Sequence, residues 1–272
     1  MKRSLQQKTV LITGASSGIG AACAHAFASR GCRVVLAARN LEALQTLQAS
    51  LPAGMSHCVQ ADVSVEADCR RMVEEAVGQF GSLDVLVNNA GISMRALFRD
   101  TNPSVLRQLM DINFWGTVYA THYALPHLLK NRGCLVGVSS IAGYRGLPGR
   151  TGYSASKFAM QGFLESLRTE HLPDGLQVMV ICPGFTASNI RSNALNATGK
   201  TQGESPRNEA AMMSAEEVAE HLVKGVENHA RTIILTTQGK MTVFLNKWFP
   251  ALMDRLVYNH LAKEADSPFS KK

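Results

Sequence analysis

Short apolar runs alternate along the chain with longer stretches of helical period. Seven runs of aliphatic and β-branched residues predict strands at residues 9–14, 33–38, 57–63, 83–88, 134–140, 176–182 and 232–236. Between them, apolar residues recur about every 3.6 positions and predict helices at residues 19–29, 41–50, 67–79, 105–129, 154–171 and 215–228. Strands that are apolar on both faces and alternate with helices are typical of a parallel sheet. We therefore predict an α/β fold: a doubly wound seven-stranded parallel sheet with helices on both faces.

The same pattern divides the chain into one large domain and a C-terminal extension. The chain has 272 residues, 46% of them hydrophobic, which is enough for one sizeable core over residues 1–238. A polar segment at residues 190–210 follows the sixth strand run and predicts a lid-like excursion. Residues 239–272 have an amphipathic helical pattern, in which Pro250 predicts a kink or the start of a second helix.

Composition excludes several classes of function. The 28 basic and 21 acidic residues give a net charge of +7 without a dense basic block, which argues against nucleic-acid binding. An anionic cofactor or a lipid surface remains compatible with this charge. The six cysteines form no ligand-spaced pair, so we expect free thiols in a reducing compartment and no metal site. The N-terminus lacks an apolar signal segment and no run is long enough to span a bilayer, so we expect a cytoplasmic protein.

A glycine-rich turn follows the first strand run and leads directly into the first helix. Its glycines let the backbone approach a pyrophosphate, and the N–H groups at a helix start favour the negative charge. The turn therefore predicts a dinucleotide site formed by Gly14, Ser16, Ser17, Gly18, Ile19 and Gly20.

A tyrosine directly before the helix predicted at residues 154–171 lies four positions from a lysine within that helix. Residues i and i+4 lie on one helix face, so the phenol of Tyr153 and the ammonium of Lys157 can point into one space. An amphipathic helix edge explains an isolated pair equally well. The rest of the chain must therefore decide whether the pair is catalytic.

Six motifs occur in order along residues 8–236: TGASSGIG, ADV, NNAG, SSIAG, YSASK and CPGFT. With these motifs the chain resembles the single-domain branch of the short-chain dehydrogenase/reductase family, in the neighbourhood of hydroxysteroid dehydrogenases and lipid carbonyl reductases. The resemblance implies a Rossmann-like sheet and makes residues 1–238 a dinucleotide-binding catalytic domain. It also implies hydride transfer between a nicotinamide cofactor and a carbonyl or secondary alcohol.

The resemblance assigns four catalytic residues. Tyr153 donates a proton to the substrate carbonyl, while Lys157 stabilises the phenolate and holds the nicotinamide ribose. Ser140 lies thirteen positions before Tyr153 and orients the same carbonyl, whereas the adjacent Ser139 points to the opposite face. Asn113 matches the asparagine that holds a water in a proton relay; the alternative is a local hydrogen bond within its helix.

The resemblance also implies cofactor contacts beyond the glycine-rich turn. They come from the turns after the third, fourth and sixth strand runs: Asp62 and Val63 beside the adenine, Asn88 and Ala90 along its ribose, and Pro183, Gly184 and Thr186 beside the carboxamide.

The end of the second strand run indicates which dinucleotide binds. Arg39 stands where relatives that prefer NAD carry an acidic residue for the ribose 2′-hydroxyl. A guanidinium suits a 2′-phosphate, and Asn40 and Ser16 can add hydrogen bonds to it. We therefore expect NADP, although a solvated arginine after a strand is the plainer interpretation.

The substrate and the partners are less constrained. The segments at residues 93–98, 144–149 and 190–210 contain aliphatic and aromatic residues, which favour an apolar small-molecule carbonyl or alcohol. The helices that start near Val105 and Ser154 are apolar over a wide arc, and the family commonly pairs subunits through them, so we expect a homo-oligomer.

The C-terminal extension carries a broad apolar face at helical spacing, formed by Met241, Phe244, Leu245, Trp248, Phe249, Leu252, Met253, Leu256 and Val257. One interpretation is that this face packs on the protein and walls the substrate pocket. The other is a peripheral membrane contact through residues 239–262. The competing functions are a non-catalytic dinucleotide-binding protein, a membrane-surface scaffold, and an epimerase or lyase of the extended branch.

Overall fold

The computed structural model describes residues 2–184, 186, 190–203, 212–263, 267 and 269. In this part of the chain, seven strands form one parallel sheet in the order β3-β2-β1-β4-β5-β6-β7, which confirms the predicted architecture. The strands are β1 Thr9–Thr13, β2 Arg33–Ala38, β3 Ser56–Gln60, β4 Val85–Asn88, β5 Cys134–Val138, β6 Gln177–Cys182 and β7 Thr232–Ile234.

Four strands, β1, β3, β5 and β7, end earlier than the apolar runs predict, and two of these differences concern the site. β3 stops at Gln60, so Asp62 and Val63 lie in the following turn. β5 stops at Val138, although the N–H of Ser139 still donates to the carbonyl oxygen of Ile181 on β6 at 2.8 Å. Ser140 therefore lies directly beyond the last backbone bond between these strands.

The described α-helices are α1 Gly18–Ala28, α2 Leu41–Ala49, α3 Glu66–Phe80, α4 Pro103–Met110, α5 Gly116–Lys130, α6 Thr151–Glu170, α7 Ala215–Glu227, α8 Thr237–Trp248 and α9 Pro250–Ala262. The stretch predicted as one helix at residues 105–129 is helical throughout, but it is not regular. A π-helical segment, Asp111–Trp115, separates α4 from α5 and shifts the apolar phase between them. In the extension, Pro250 begins a second helix, because proline is favoured at the first helical position.

Each face of the sheet carries its own core. Val10 and Ile12 of β1 join a cluster with α1, α2 and α7, whereas Leu11 joins a cluster with α3, α5 and α6. Successive side chains of a strand point to opposite faces, so a continuous apolar run fills both cores. This arrangement explains why the strand runs do not alternate with polar residues.

The strand order reverses between β1 and β4, which are neighbours although β2 and β3 come between them in sequence. At such a point the connections leave in opposite directions and open a crevice beyond the carboxyl ends of the strands. The turns after β1, β4, β5 and β6 all meet at this edge.

Part of the predicted lid lies within the described residues. Leu195 pairs with Met94 and Thr201, and Ala197 accepts a hydrogen bond from the N–H of Asn102 at 2.9 Å. Residues 190–203 therefore pack over the segment after β4, while residues 204–210 lie outside the described residues. No helix in the described part is long and apolar enough to cross a membrane.

Candidate active site

The glycine-rich turn has a backbone that only glycine fits well. Gly14 and Gly18 have φ angles of +66° and +54°, a region that side chains with a Cβ rarely adopt. A Cβ on Gly20 would lie 2.2 Å from the carbonyl oxygen of Gly14. These glycines let β1 turn sharply into α1 and leave space in front of the helix.

The start of α1 suits a phosphate group. Ser17, its N-cap, makes no side-chain capping bond among the described residues, and the first turn carries no acidic residue. The first N–H groups of a helix need partners, and the helix dipole favours an anion there. The residues around this turn thus fit the pyrophosphate of a dinucleotide.

A cleft of about 610 Å³ lies in front of this turn and collects most of the predicted cofactor residues. Its lining includes Gly14, Ser16, Ser17, Gly18, Ile19, Arg39, Asn40, Asp62, Val63 and Ala90. Gly20 does not line the cleft, but its lack of a Cβ leaves room for the carbonyl of Gly14 and so allows the turn.

Arg39 and its neighbours lie at the end of this cleft. The Arg39 side chain is 69% exposed, and its Nη1 lies 4.0 Å from Oδ2 of Asp62. Asn40 caps α2, because its side-chain oxygen accepts a hydrogen bond from the N–H of Ala43 at 3.0 Å. The guanidinium of Arg39 is therefore solvated and close to the space in front of α1.

The structure does not place Asn88 in the cleft. Asn88 is buried, and its Nδ2 donates to Oγ1 of Thr121 at 3.1 Å. The next residue, Asn89, lines the cleft and donates from Nδ2 to the carbonyl oxygens of Thr13 and Gly14 at 3.0 and 3.1 Å. The sequence analysis assigned Asn88 rather than Asn89, because the motif contains two adjacent asparagines.

A second cleft, of about 660 Å³, adjoins the first and contains the predicted catalytic residues Ser140, Tyr153 and Lys157. Ile19, Asn89, Gly91 and Ile190 line both clefts. Pro183, Gly184 and Thr186 line the second cleft. A molecule in the first cleft can therefore present one end to Tyr153.

Tyr153 and Lys157 are both buried on α6. Burial raises the pKa of Tyr153, while a hydrogen bond with Ser140 and the charge of Arg150 lower it. Burial also lowers the pKa of Lys157 to about 8. The Lys157 ammonium lies 5.9 Å from the Tyr153 ring centre and donates to the carbonyl oxygen of Val138 at 2.8 Å. Arg150 is thus a second cation that acts on the phenol, and the sequence analysis did not single it out.

Ser139 and Ser140 point in different directions. Ser140 has an extended backbone, lines the cleft, and accepts a hydrogen bond from the N–H of Ala142 at 3.1 Å. Ser139 is buried, and its Oγ accepts from Nε2 of Gln161 at 2.8 Å. Both serines border the second cleft, but the hydroxyl of Ser139 is bonded to Gln161.

Asn113 lies behind the cleft, on the π-helical segment. Its Oδ1 accepts from the N–H of Ile92 at 2.8 Å, and its Nδ2 donates to the Ile92 carbonyl at 3.0 Å and to Oγ of Ser156 at 2.9 Å. A Cβ built on Gly91 would lie 3.1 Å from Oδ1 of Asn113 and 3.6 Å from Nζ of Lys157. Asn113 therefore fixes the wall next to Lys157.

Helices α8 and α9 wall the second cleft, with the residues Met241, Thr242, Leu245, Met253, Leu256, Val257, His260 and Leu261. They are fastened to the segment after Ser140. Nδ2 of Asn246 donates to the carbonyl oxygen of Tyr144 at 3.0 Å, and Arg145 pairs with both Asn246 and Asp254.

The apolar residues of the extension, expected to form a single face, point in two directions in the structure. Leu245, Met253 and Val257 turn toward the cleft, whereas Phe244 and Trp248 are exposed to solvent. Leu245, Phe244 and Trp248 all lie on α8, so this one helix has a side on the cleft and a side in solvent.

Comparison with known proteins identifies the family. The family model for short chain dehydrogenases matches residues 8–199. The chain belongs to the short-chain dehydrogenase/reductase family. It is 36% identical over 277 residues to a mouse protein named dehydrogenase/reductase SDR family member 7B, covering 99% of this chain and 86% of that protein. It is also 36% identical over 271 residues to a peanut (Arachis hypogaea) protein named 11-beta-hydroxysteroid dehydrogenase A, covering 95% and 77%.

A solved family structure shares the fold. The crystal structure of a short-chain dehydrogenase/reductase from Burkholderia phymatum, in complex with NAD, superposes with a TM-score of 0.81 and 23% identity. The match covers 92% of this chain and 96% of that one.

Gly20→Ala tests the assignment of the first cleft. The added methyl would press on the Gly14 carbonyl and displace the turn, so we expect the affinity for NADPH and NADH to fall about tenfold or more. Gly78→Ala is the matched control, because a Cβ there meets nothing within 4 Å. Fluorescence titration measures both variants, and equal affinity of Gly20→Ala and Gly78→Ala would contradict the assignment.

Proposed function

We propose that this protein is an NADP-dependent oxidoreductase that transfers hydride between nicotinamide and a carbonyl or secondary alcohol on an apolar substrate. The observation that carries the proposal is that Ser140, Tyr153 and Lys157 line one cleft, which adjoins the glycine-rich cleft. A non-catalytic dinucleotide-binding protein would have no need of this group of side chains.

In this proposal, the two clefts would hold a nicotinamide cofactor, which would supply hydride to the carbonyl carbon in the reductive direction. Tyr153 donates its phenolic proton to the carbonyl oxygen, and Ser140 orients that oxygen by a hydrogen bond from Oγ. Burial raises the pKa of Tyr153, so the phenol is protonated at neutral pH and ready to act as an acid. Lys157 and Thr186 would hold the cofactor at the junction of the clefts.

Arg39 supports the preference for NADP. Arg39 lines the first cleft together with Asn40 and Ser16, and a cation beside polar groups is suited to binding a ribose 2′-phosphate. Asp62 is the acidic group that faces Arg39, at 4.0 Å, and its position in the turn after β3 leaves the guanidinium largely solvated. The Burkholderia relative holds NAD, so the preference has to be tested on this chain.

The walls of the second cleft support an apolar substrate. Leu147, Ile190, Leu245, Met253 and Val257 surround the space in front of Tyr153. Aliphatic walls with a few polar groups at one end favour a molecule with one reactive oxygen on a hydrocarbon body. A steroid-like or lipid-like ketone fits this description, and the name of the peanut relative refers to a steroid activity.

We also propose that the outer face of α8 and α9 binds an anionic lipid surface. Phe244, Trp248 and Phe249 are 61%, 61% and 54% exposed, which is unusual for large apolar side chains so close together in a chain. Lys247 lies 5.6 Å from the Trp248 ring, so the face combines aromatic groups with positive charge. An apolar substrate could then reach the cleft from the lipid.

We propose a separate surface for assembly into a homo-oligomer. Trp115, at the end of the π-helical segment, and Phe158, on α6, are also exposed, and Trp115 stacks on Tyr119 of α5. A second copy that covers these rings would remove them from water.

Tyr153→Phe tests the acid role. The variant keeps the ring but loses the proton donor, so turnover of an apolar ketone should fall about a hundredfold or more. NADPH affinity should stay close to that of the wild type, because the ring still fills its place. Tyr119→Phe, on α5 and away from the cleft, is the matched control. The readout is NADPH absorbance, and turnover of Tyr153→Phe within a few-fold of wild type would sink the role.

Arg39→Asp tests the cofactor preference. Loss of the guanidinium and repulsion by a carboxylate should weaken NADPH binding by about 1–3 kcal/mol and improve NADH binding relative to it. Arg70→Asp makes the same charge change on the exposed surface of α3 and should leave both affinities unchanged. Tighter binding of NADH than of NADPH by the wild type would show that the preference is wrong.

A crossed pair of double variants tests the two surfaces together. Phe244→Ser with Trp248→Ser should abolish sedimentation with phosphatidylserine vesicles and leave the mass by light scattering unchanged. Trp115→Ser with Phe158→Ser should lower that mass and leave vesicle binding unchanged. Wild-type protein that stays in the supernatant at low salt contradicts the lipid surface, and a wild-type mass of 29.4 kDa contradicts the oligomer.

A further inference from the structure

Gln161 continues the catalytic face of α6. It lies four residues beyond Lys157 and eight beyond Tyr153, so all three side chains project toward the same edge of the sheet. Gln161 is 7% exposed and does not line either cleft. It lies instead behind the segment that carries Ser140.

The amide of Gln161 joins the ends of two strands. Its Nε2 donates to Oγ of Ser139 at 2.8 Å and to Sγ of Cys182 at 3.5 Å. Ser139 follows β5 and Cys182 ends β6, and the N–H of Ser139 donates to the carbonyl oxygen of Ile181 at 2.8 Å. Burial raises the pKa of Cys182 to about 12, so the thiol is neutral and acts as a weak acceptor.

The short turn after Ser140 closes over the same amide. A Cβ on Gly143 would lie 2.3 Å from Nε2 of Gln161 and 2.8 Å from Oγ of Ser139. Gly143 ends the 3₁₀ turn Ile141–Gly143, in which the N–H of Ala142 donates to Oγ of Ser140. Gln161 therefore touches the chain on both sides of Ser140.

We propose that Gln161 is a positioning residue for Ser140. By holding Ser139 through a hydrogen bond and Gly143 by contact, it fixes the direction in which the intervening Ser140 projects toward Tyr153 and the substrate carbonyl. Adjacent residues in extended backbone project to opposite sides, so anchoring Ser139 on one side aims Ser140 to the other. This inference rests on the proposed hydride transfer and adds a residue that touches neither substrate nor cofactor.

Gln161→Leu removes both donors and keeps a side chain of similar size. We expect kcat for ketone reduction to fall about tenfold, because a small misplacement of an orienting group lowers the rate steeply. NADPH affinity and the ketone KM should change less than about twofold, since neither cleft is lined by this residue. Glu165→Leu, one turn further along α6 and exposed, is the matched control and should turn over as the wild type does.

The decisive measurement repeats Gln161→Leu in a Ser140→Ala background. If Gln161 acts through Ser140, the second substitution should lower the single-turnover rate less than about twofold further, because the two effects are not additive. Equal fractional losses with and without Ser140 would show a general structural role and overturn the proposal.

A measurement without substrate separates this inference from the proposed function. The hydrogen bond with Ser140 lowers the pKa of Tyr153, so a displaced Ser140 should raise that pKa. Absorbance titration of Gln161→Leu and of wild type, each referenced to its Tyr153→Phe counterpart, reports the change. An unchanged Tyr153 pKa in Gln161→Leu overturns the role of Gln161. A raised Tyr153 pKa in that variant, together with a wild type that reduces no ketone, refutes the proposed function alone.

Discussion

The site depends on the parallel pairing of β1, β4, β5 and β6, which brings four chain segments to one edge of the sheet. Each strand is buried on both faces, so its register is fixed by apolar packing in two cores at once. The fixed register of the strands therefore fixes the positions at which the following turns begin. The glycine turn, Asn89, Ser140 and Gly184 converge because the strands that precede them cannot slide, and long loops do not have to hold them.

Helix α6 adds the titratable groups to this edge at a cost. Lys157 is buried with its ammonium on the Val138 carbonyl, and burial lowers its pKa to about 8. Its charged form is therefore less stable in the folded protein than in water. Tyr153 is buried beside it and retains its proton. The well-packed sheet and helices around these groups offset their cost to stability. Functional sites in proteins commonly carry such a cost.

Much of this arrangement could be predicted from the sequence, because strand runs and the glycine turn are local signals with a clear physical cause. The predictions failed where the cause is tertiary. Nothing in the apolar pattern marks the π-helical segment that holds Asn113, and two adjacent asparagines hid that Asn89 faces the cleft while Asn88 faces Thr121. Gln161 carries no sequence signal either, since its partners Ser139 and Cys182 are 22 and 21 positions away.

The fastening of α8 and α9 by Arg145 and Asn246 has a kinetic consequence. These helices wall the cleft and are bonded to Tyr144 and Arg145, four and five positions after Ser140. The width of the cleft and the position of Ser140 therefore depend on the same segment. A bulky ligand that pushes these helices outward would also pull on the carbonyl of Tyr144. Under the proposed hydride transfer, substrate size and turnover would therefore be coupled, and a change that widens the cleft from the C-terminal side would lower turnover even for ketones too small to touch that wall.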